Sequence, residues 1–371
     1  MSFLPPTGKP RGTRRARIPA TSRRALVCTA GAALLALAPA ADATKYAGEF
    51  LTQGIGARSL GMGRAHVAVP VGATASYWNP AVLVFSERRD SEIMHSEEFG
   101  DVRYDGVSLV LPHSGGTGAS ASGLGLIRLA IDDIPDTRSL QWLDYGADGD
   151  PNVTDVDGTQ DNGAWDAGER LLIDPGRIRL FSNSEMALFL SHARSLTGSL
   201  AAGASAKVVR KTLDDHDAWG FGFDLAARFD AGRGLALGAN LQDAFGTYLS
   251  WDTGRRETIS PNLKLGAAWT RDVSFPRGRF LAAADLDVRF EGRRTAATWW
   301  VGDRLSADPH LGGELQVGLL ALRAGLDVDR PTLGVGLSPA PFHVDYAFRG
   351  RSDAGEDDLD ASHRVSAGIA F

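Results

Sequence analysis

Regular alternation of apolar and polar residues runs through most of this chain of 371 residues. In residues 219–230 the odd positions are aromatic or aliphatic, whereas the even positions are mostly glycine, aspartate and arginine. The stretch 280–291 alternates in the same way and carries Asp285, Asp287 and Arg289 on its polar face. Period-two alternation is the pattern of a β-strand with one apolar and one polar face. The sequence therefore predicts an all-β fold.

The number and length of these segments favour a membrane barrel. From residue 91 onward we count about thirteen or fourteen of them, each of roughly ten residues and separated by short turns. Strands of about that length cross a bilayer at a barrel's tilt, whereas strands of soluble sandwiches are mostly about five or six residues long. Tryptophans near predicted strand ends suit the aromatic girdles of such barrels, as at Trp251, Trp269, Trp299 and Trp300. We therefore expect an antiparallel transmembrane β-barrel of about fourteen strands.

The last alternating stretch, residues 361–371, runs to the end of the sequence. Its polar parity holds Arg364, Ser366 and Gly368, and its apolar parity holds Val365, Ala367, Ile369 and Phe371. Chain ends of soluble domains usually fray. The stretch resembles the last strand of bacterial outer-membrane barrels, where such an apolar stripe serves as the signal for the barrel assembly machinery. The closing strand of a soluble sandwich is the alternative.

Residues 1–43 have the features of a secretory signal peptide. Six arginines and Lys9 precede an apolar core at residues 25–37, and small residues end at Ala43. This order predicts cleavage before Thr44 and delivery to the outer membrane, although a retained anchor is the alternative. The sole cysteine, Cys28, lies in the leader, so a mature chain would contain no disulfide.

The charge of the chain excludes one class of partner. The formal net charge is −6, and removal of the leader with its seven basic residues and one acidic residue would lower it to −12. Binding of nucleic acid depends on a basic field that neutralises phosphates. We therefore expect no nucleic-acid partner.

Residues 44–88 differ from the strand region and form a glycine-rich N-terminal motif. It reads Gly-Ala-Arg-Ser-Leu-Gly-Met-Gly-Arg-Ala at 56–65 and Ala-Thr-Ala-Ser-Tyr-Trp-Asn-Pro-Ala at 73–81. The glycines lack the spacing of a phosphate-binding loop, and no Lys-Ser or Lys-Thr follows them. Asn79-Pro80 is expected to end a short helix, because a residue before proline avoids the helical region.

These two motifs resemble the N-terminal signature of the PorV/PorQ family and, more distantly, that of FadL-type long-chain fatty-acid transporters. The resemblance implies a barrel at residues 89–371 and a plug segment at 44–88 that folds inside the lumen. It places the plug motif on Arg58, Gly61, Gly63, Trp78, Asn79 and Pro80. Two departures from the family pattern are Arg64, where glycine is frequent, and the Pro-Val-Gly turn at 70–72 in place of an acidic one.

The resemblance also implies two kinds of function. One is an accessory role in type IX protein secretion, with exported proteins or their sorting domains as partners. The other is FadL-like passage of hydrophobic small molecules across the outer membrane. A purely structural outer-membrane protein with a plug that does not gate is a further alternative, and outer-membrane lipid is a partner in every case.

The alternation lapses at residues 134–178, an insertion rich in aspartate and glycine. Closely spaced carboxylates on a glycine-bent loop are the hard oxygen ligands that calcium needs. The spacing is not that of an EF-hand, so a solvated acidic loop without metal is the alternative. Long loops of outer-membrane barrels face outward, and we expect the same of this insertion. The candidate calcium ligands are Asp148, Asp157, Asp161, Asp166 and Glu169.

Catalytic motifs do not occur in the sequence. There is no Gly-x-Ser-x-Gly elbow, no His-Glu-x-x-His helix and no cysteine cluster. His192, His216, His310 and His343 share no metal-ligand spacing, and we expect each to be an ordinary lumen, loop or turn residue. We therefore expect no enzyme and no cofactor other than calcium.

Overall fold

The structure is a computed structural model that describes residues 47–69, 72–98, 102–113, 118–136, 178–291, 298–351 and 361–371. The expected signal peptide at 1–43 lies outside these residues. The described part contains no helix that is long and apolar enough to cross a bilayer. One large antiparallel sheet accounts for most of it.

Fourteen strands form the wall of a closed barrel. Their lengths run from eight residues in β7 to seventeen in β3. The short hairpin of β8 (Thr247–Trp251) and β9 (Arg256–Ile259), together with β12 (Trp300–Val301), adds to the sheet outside this count. The wall strands are β1 Asp90–Glu98, β2 Val102–His113, β3 Ser120–Asp136, β4 Arg179–Ser195, β5 Leu200–Leu213, β6 His216–Gly232, β7 Leu235–Gln242, β10 Asn262–Ser274, β11 Arg277–Arg289, β13 Ser306–Val317, β14 Leu320–Asp327, β15 Arg330–Leu337, β16 Phe342–Arg349 and β17 Ser362–Ala370.

The barrel closes by pairing its first strand with its last. β1 pairs with β2 on one side and with β17 on the other, and Asp90 lies opposite Ala370 in the second pairing. Closure leaves no unpaired edge among the fourteen wall strands, which a lipid environment requires because it offers no hydrogen-bond partners to the backbone. The predicted antiparallel barrel of about fourteen strands is confirmed.

The two faces of the wall have the opposite arrangement to those of a soluble protein. On β6, Phe221 and Phe223 are 64% and 55% exposed. Asp224, the next residue on the same strand, is fully buried. On β11, Asp285 and Asp287 are buried and Leu286 between them is exposed. Water drives apolar surface inward, so an apolar outer face and a charged inner face are features of a barrel surrounded by lipid. The soluble-sandwich alternative is therefore wrong.

The two ends of the barrel differ in their connections. One end has the short turns 196–199, 233–234, 275–276, 318–319 and 338–341, and the strand ends at Asp90 and Ala370 lie there. The other end has the long connections, including 243–261, 290–305 and the 137–178 connection that joins β3 to β4. Outer-membrane barrels place short turns in the periplasm and long loops outside. We refer to the two ends as the periplasmic end and the outer end.

The predicted aromatic girdle is only partly present. Trp269 faces outward in the wall with 39% exposure, but it lies well inside β10 rather than at its end. Trp299 and Trp300 are exposed in the connection after β11, and Trp251 ends the short strand β8. Alternation identifies an outward face, but it does not give the height of a residue in the wall.

Candidate functional site: the lumen of the barrel

An N-terminal segment, residues 47–69 and 72–86, lies across the inside of the barrel. Its helix Ala57–Gly61 packs against β14 to β17 on one wall, and its 3-10 helix Pro80–Phe85 packs against β2 to β6 on the other. The backbone N–H of Ala57 donates a hydrogen bond of 2.8 Å to Oγ of Ser366, an inward-facing residue of the last strand. The segment is thus attached to two sides of the lumen.

Asn79 and Pro80 set the path of the segment between its helices. The helix Ala75–Trp78 ends at Asn79, as predicted, and Pro80 begins the following 3-10 helix. The side-chain oxygen of Asn79 accepts a hydrogen bond of 2.9 Å from the N–H of Ala81, which caps that helix. Its amide nitrogen donates to the carbonyl of Val67 at 2.8 Å. The Asn79 side chain therefore joins the start of the 3-10 helix to the part of the segment around Val67.

Arg58 holds the helix Ala57–Gly61 to the wall through a charged network. Its guanidinium contacts both oxygens of Glu314 at 2.8 Å, in the bidentate geometry that suits arginine and carboxylate. Arg323 donates to the same carboxylate at 2.6 Å and to Asp345 at 2.6 Å. The network places two cations and two anions in a largely buried site, so its charges balance.

A second network centres on Asp327 and Glu98. Asp327 contacts Arg64 of the segment and Arg349 of β16, each at 3.3 Å. Glu98 contacts Arg349 at 3.0 Å and Arg364 at 3.3 Å. Arg64 adopts a φ of +67°, a left-handed conformation that is common for glycine but rare for residues with a side chain. The glycine that is frequent in the PorV/PorQ pattern would fit this backbone without strain, but it could not form the ion pair.

Further polar contacts join the segment to β11 and join parts of the sheet to one another. One carboxylate oxygen of Asp285 accepts hydrogen bonds from the backbone N–H groups of His66 at 2.5 Å and Val67 at 2.7 Å. Lys207 on β5 contacts Asp243 at 2.7 Å. Buried charges need partners because isolated ones are expensive to desolvate. Additional buried pairs join Lys207 to Asp224, Lys264 to Asp287 and Arg289 to Asp308.

An apolar cluster occupies the lumen between these charged networks. Trp78 stands at its centre, with its indole N–H donating to the carbonyl of Ile55 at 2.9 Å and its ring 4.9 Å from that of Tyr77. The sheet contributes residues from β1 to β5, β8 and β9. Barrel lumens are usually polar, so this cluster is the unusual feature of the interior. Its members are Ala47, Phe50, Leu51, Ile55, Tyr77, Trp78, Met94, Tyr104, Ile127, Ala187, Phe189, Val209, Leu249 and Ile259.

Glycines allow the segment to touch the backbone of the wall. Gly63 has a φ of +59°, and a Cβ there would lie 2.6 Å from the backbone nitrogen of Leu326 on β14. On the facing side, a Cβ on Gly312 of β13 would lie 2.8 Å from the carbonyl carbon of Met62. The strand backbone and the segment backbone are therefore in direct contact, with no room for a side chain.

We expect Gly312→Val to loosen the segment. A valine side chain would overlap the Met62 peptide, at a cost of about 1–3 kcal/mol for an overpacked site. Planar-bilayer recordings should therefore show larger or more frequent current steps than the unchanged protein. Gly313→Val is the matched control, since the nearest atom to its Cβ would be 3.8 Å away. Equal currents for both variants would contradict the tight contact at Gly312.

Among the cavities bounded by the described residues, one lies near each end of the lumen. The larger has a volume of about 450 Å³ and is lined at the periplasmic end by Arg58, Glu314, Arg323 and His343, among others. His66 also lines it, and within the described residues neither of its ring nitrogens has a hydrogen-bond partner. Burial lowers the pKa of His66 to about 3, so the ring is neutral near pH 7. The smaller cavity, about 30 Å³, lies at the outer end and shares no lining residue with the first.

The remaining sequence-predicted residues are placed as follows. Val365 and Phe371 of the expected assembly signal face outward and are 47% and 59% exposed, while Ala367 and Ile369 are half-buried on the same parity. His310 is a buried lumen residue, as expected. His192 is not a lumen, loop or turn residue, because it faces outward from β4. The inner face of β4 meets the apolar cluster, so both faces are partly apolar and the alternation there is ambiguous.

All five candidate calcium ligands lie outside the described residues. Within the described part, no group of three or more His, Cys, Asp or Glu side chains is arranged to hold a metal ion. The calcium loop therefore stays a prediction.

We expect calcium to protect this loop from proteolysis. If the carboxylates Asp148, Asp157, Asp161, Asp166 and Glu169 wrap one ion, chelation leaves them to repel one another and opens the backbone. Limited proteolysis with and without a calcium chelator should then cut residues 144–174 faster in the chelated sample, while the barrel stays intact. Equal cleavage in both samples would favour the solvated loop.

Comparison with known proteins gives the fold a precedent. No protein-family model and no curated protein matches the chain. Among solved structures, the toluene transporter TodX of Pseudomonas putida matches with a TM-score of 0.53 and 16% identity over 85% of this chain and 97% of that one. The chain has the TodX fold. A Pseudomonas aeruginosa FadL homologue gives a TM-score of 0.49 at 11% identity over 85% of this chain and 97% of that chain.

Proposed function

We propose that the protein is an outer-membrane conduit for small hydrophobic molecules and that the N-terminal segment is its gate. The observation that carries the proposal is the apolar cluster around Trp78 inside a barrel whose lumen also holds many buried ion pairs. A hydrophobic molecule needs an apolar surface along its path through a charged interior. The FadL-like fold supports the proposal, because TodX is described as a toluene transporter.

The segment fits the role of a gate because it is attached by polar contacts at its edges. Arg58 contacts Glu314, and Ala57 contacts Ser366, on the wall away from the apolar cluster. Such contacts can exchange for water when the segment moves, at a net cost of about 0.5–1.5 kcal/mol for a typical hydrogen bond and about 1.5–3 kcal/mol for one to a charged group. Displacement of the segment would uncover Tyr104, Ile127 and Phe189 on the wall.

A reversible cross-link tests the conduit and the gate together. Ala57→Cys with Ser366→Cys places thiols on two residues that are in contact, with the backbone nitrogen of Ala57 2.8 Å from Oγ of Ser366, in a chain whose only other cysteine is Cys28. Cells with the reduced protein should take up labelled toluene faster than cells without it, and oxidation should abolish the gain. The single-cysteine variants are the controls for the redox treatment. Uptake by the reduced protein no faster than background would contradict the conduit, and equal uptake after oxidation would contradict the gate.

The resemblance of the N-terminal motif to PorV/PorQ supports a second candidate, an accessory of type IX secretion. On that hypothesis, cells that lack the protein keep exported proteins with C-terminal sorting domains inside the cell. Their uptake of toluene is unchanged. Surface proteomics of a deletion strain separates the two candidates, because the conduit predicts the reverse pattern.

A further inference from the structure

The histidine of the N-terminal segment at the larger lumen cavity has unused hydrogen-bonding capacity. His66 is 1% exposed, and among the described residues neither nitrogen of its ring has a hydrogen-bond partner. Burial lowers the pKa of His66 to about 3, so near pH 7 the neutral ring carries one N–H donor and one acceptor nitrogen. Buried polar groups are in most cases hydrogen-bonded, so this ring calls for a partner from outside the described chain.

His66 lies between the apolar cluster and the cavity. Its ring centroid is 5.8 Å from that of Trp78 at the centre of the cluster, and it also lines the cavity of about 450 Å³. The carboxylate of Asp285 accepts a hydrogen bond from its backbone N–H, which holds the residue in place without using the ring. The cavity volume falls in the range of roughly 300–1,000 Å³ that small-molecule sites occupy. A molecule that leaves the cluster toward the periplasmic end therefore meets the His66 ring as it enters polar surroundings.

The charges around this cavity disfavour an ionic ligand. Its described lining holds four arginines and four carboxylates of Asp or Glu. Glu314 accepts hydrogen bonds from Arg58 and Arg323, and Arg323 also donates to Asp345. A lining of balanced charge supplies no field of one sign to attract an ion, and an ion would have to compete with these pairs. An uncharged ligand leaves the pairs intact.

We propose that the cavity binds an uncharged molecule with an aromatic body and one hydroxyl group, a phenol, and that His66 determines this specificity. This specificity rests on the conduit function proposed above, since the cavity lies on the same path. A hydroxyl both donates and accepts, so it can pair with either ring nitrogen, while an aromatic body suits the neighbouring Trp78 ring. A hydrocarbon such as toluene can pass through the same cavity, but it leaves both nitrogens without a partner and therefore binds more weakly.

Fluorine NMR of the full-length protein in detergent micelles tests this specificity. The probes 4-fluorophenol and fluorobenzene differ only in the hydroxyl, and both are uncharged at pH 7 because phenols ionise at about pH 10. Titration of protein-free micelles corrects for partition into the detergent. The unchanged protein is expected to bind 4-fluorophenol about tenfold more tightly than fluorobenzene, as one buried hydrogen bond predicts. His66→Phe keeps a ring beside Trp78 but removes both nitrogens, so the two probes should then bind equally.

Two further variants separate the specificity from general effects on the segment. His66→Gln supplies a side chain with both a donor and an acceptor, and it should recover most of the preference. Ser76→Ala removes another buried polar group of the segment, from a residue outside the lining of the cavity, and should leave the preference unchanged. A heat-dependent shift in electrophoretic mobility confirms that each variant is folded.

Equal binding of the two probes by the unchanged protein would overturn the proposal, as would a preference that persists in His66→Phe. Binding of neither probe would also overturn it, because the cavity would then hold only water. The uptake test of the conduit is a separate measurement. Toluene uptake together with equal binding would reject the specificity and keep the conduit, whereas a preference without uptake would reject the conduit and keep the phenol site.

Discussion

Deletion of Phe371 is expected to stop most of the protein from reaching the outer membrane. By resemblance to other outer-membrane barrels, the assembly machinery reads the stripe of Val365, Ala367, Ile369 and Phe371. The structure leaves Phe371 available for such recognition, since its ring is 59% exposed while its N–H donates a hydrogen bond of 2.8 Å to the carbonyl of Arg89. Membrane fractionation should find the truncated chain in the periplasm or degraded.

The small amount of truncated protein that inserts should resist heat almost normally. Loss of one ring at the membrane boundary removes on the order of 1–3 kcal/mol, which is small against a closed ladder of fourteen strands. Phe342→Ala is the matched control, because Phe342 is 56% exposed at the same end on the neighbouring strand. We expect that variant to insert normally. Normal insertion of the chain without Phe371 would show that this residue is an ordinary strand end.

Asp327→Asn is expected to destabilise the finished barrel strongly. The carboxylate of Asp327 is 3% exposed and lies 3.3 Å from Arg64, 3.3 Å from Arg349 and 2.9 Å from a ring nitrogen of His310. An amide would leave buried cations without their anion, and breaking a buried pair in this way costs about 3–5 kcal/mol. Urea unfolding in detergent should therefore show a lower midpoint.

The same substitution should also free the N-terminal segment. Arg64 would lose its contact with Asp327, and limited proteolysis should cut within residues 47–69 while the wall stays intact. Asp329→Asn serves as the control, since Asp329 is exposed in the adjacent turn and surface pairs contribute about 0–1 kcal/mol. An Asp327 variant as stable as its control would mean that water replaces the carboxylate in the lumen.

Alternation was sufficient to predict the wall of the barrel, because the polarity of each wall side chain indicates whether it faces the lipid or the lumen. On β6 the parity of every large apolar residue gave its outward direction before any tertiary contact was known, and on β11 it did so for all of them except the buried Leu281. The same parity put Asp285 and Asp287 on the inner face. Strand length was less well predicted, since β3 and β4 continue for seventeen residues where about ten span the bilayer.

The partners of the lumen charges could not be predicted from the sequence. Arg58 and Glu314 are 256 residues apart, and no local pattern relates them. The outward position of His192 was missed for a related reason. His192 lies on β4, whose inner face holds Phe189 against the apolar cluster, so its parity did not distinguish lipid from lumen. A pairing of residues from different strands becomes visible only with the register, as for Ser122 opposite His192.

The contacts of the N-terminal segment impose an order on biosynthesis. The N-terminal segment is synthesised before the wall strands, but it is held in place by the last of them. Ala57 contacts Ser366 of β17, and Arg364 of the same strand donates to the carbonyl of Gly54 at 3.1 Å. Contacts at such sequence separations form late in folding, since the loop they close must be ordered first. The segment therefore cannot form these contacts until β17 is in place. Closure of the barrel by β17 and packing of the segment in the lumen then become a single cooperative step.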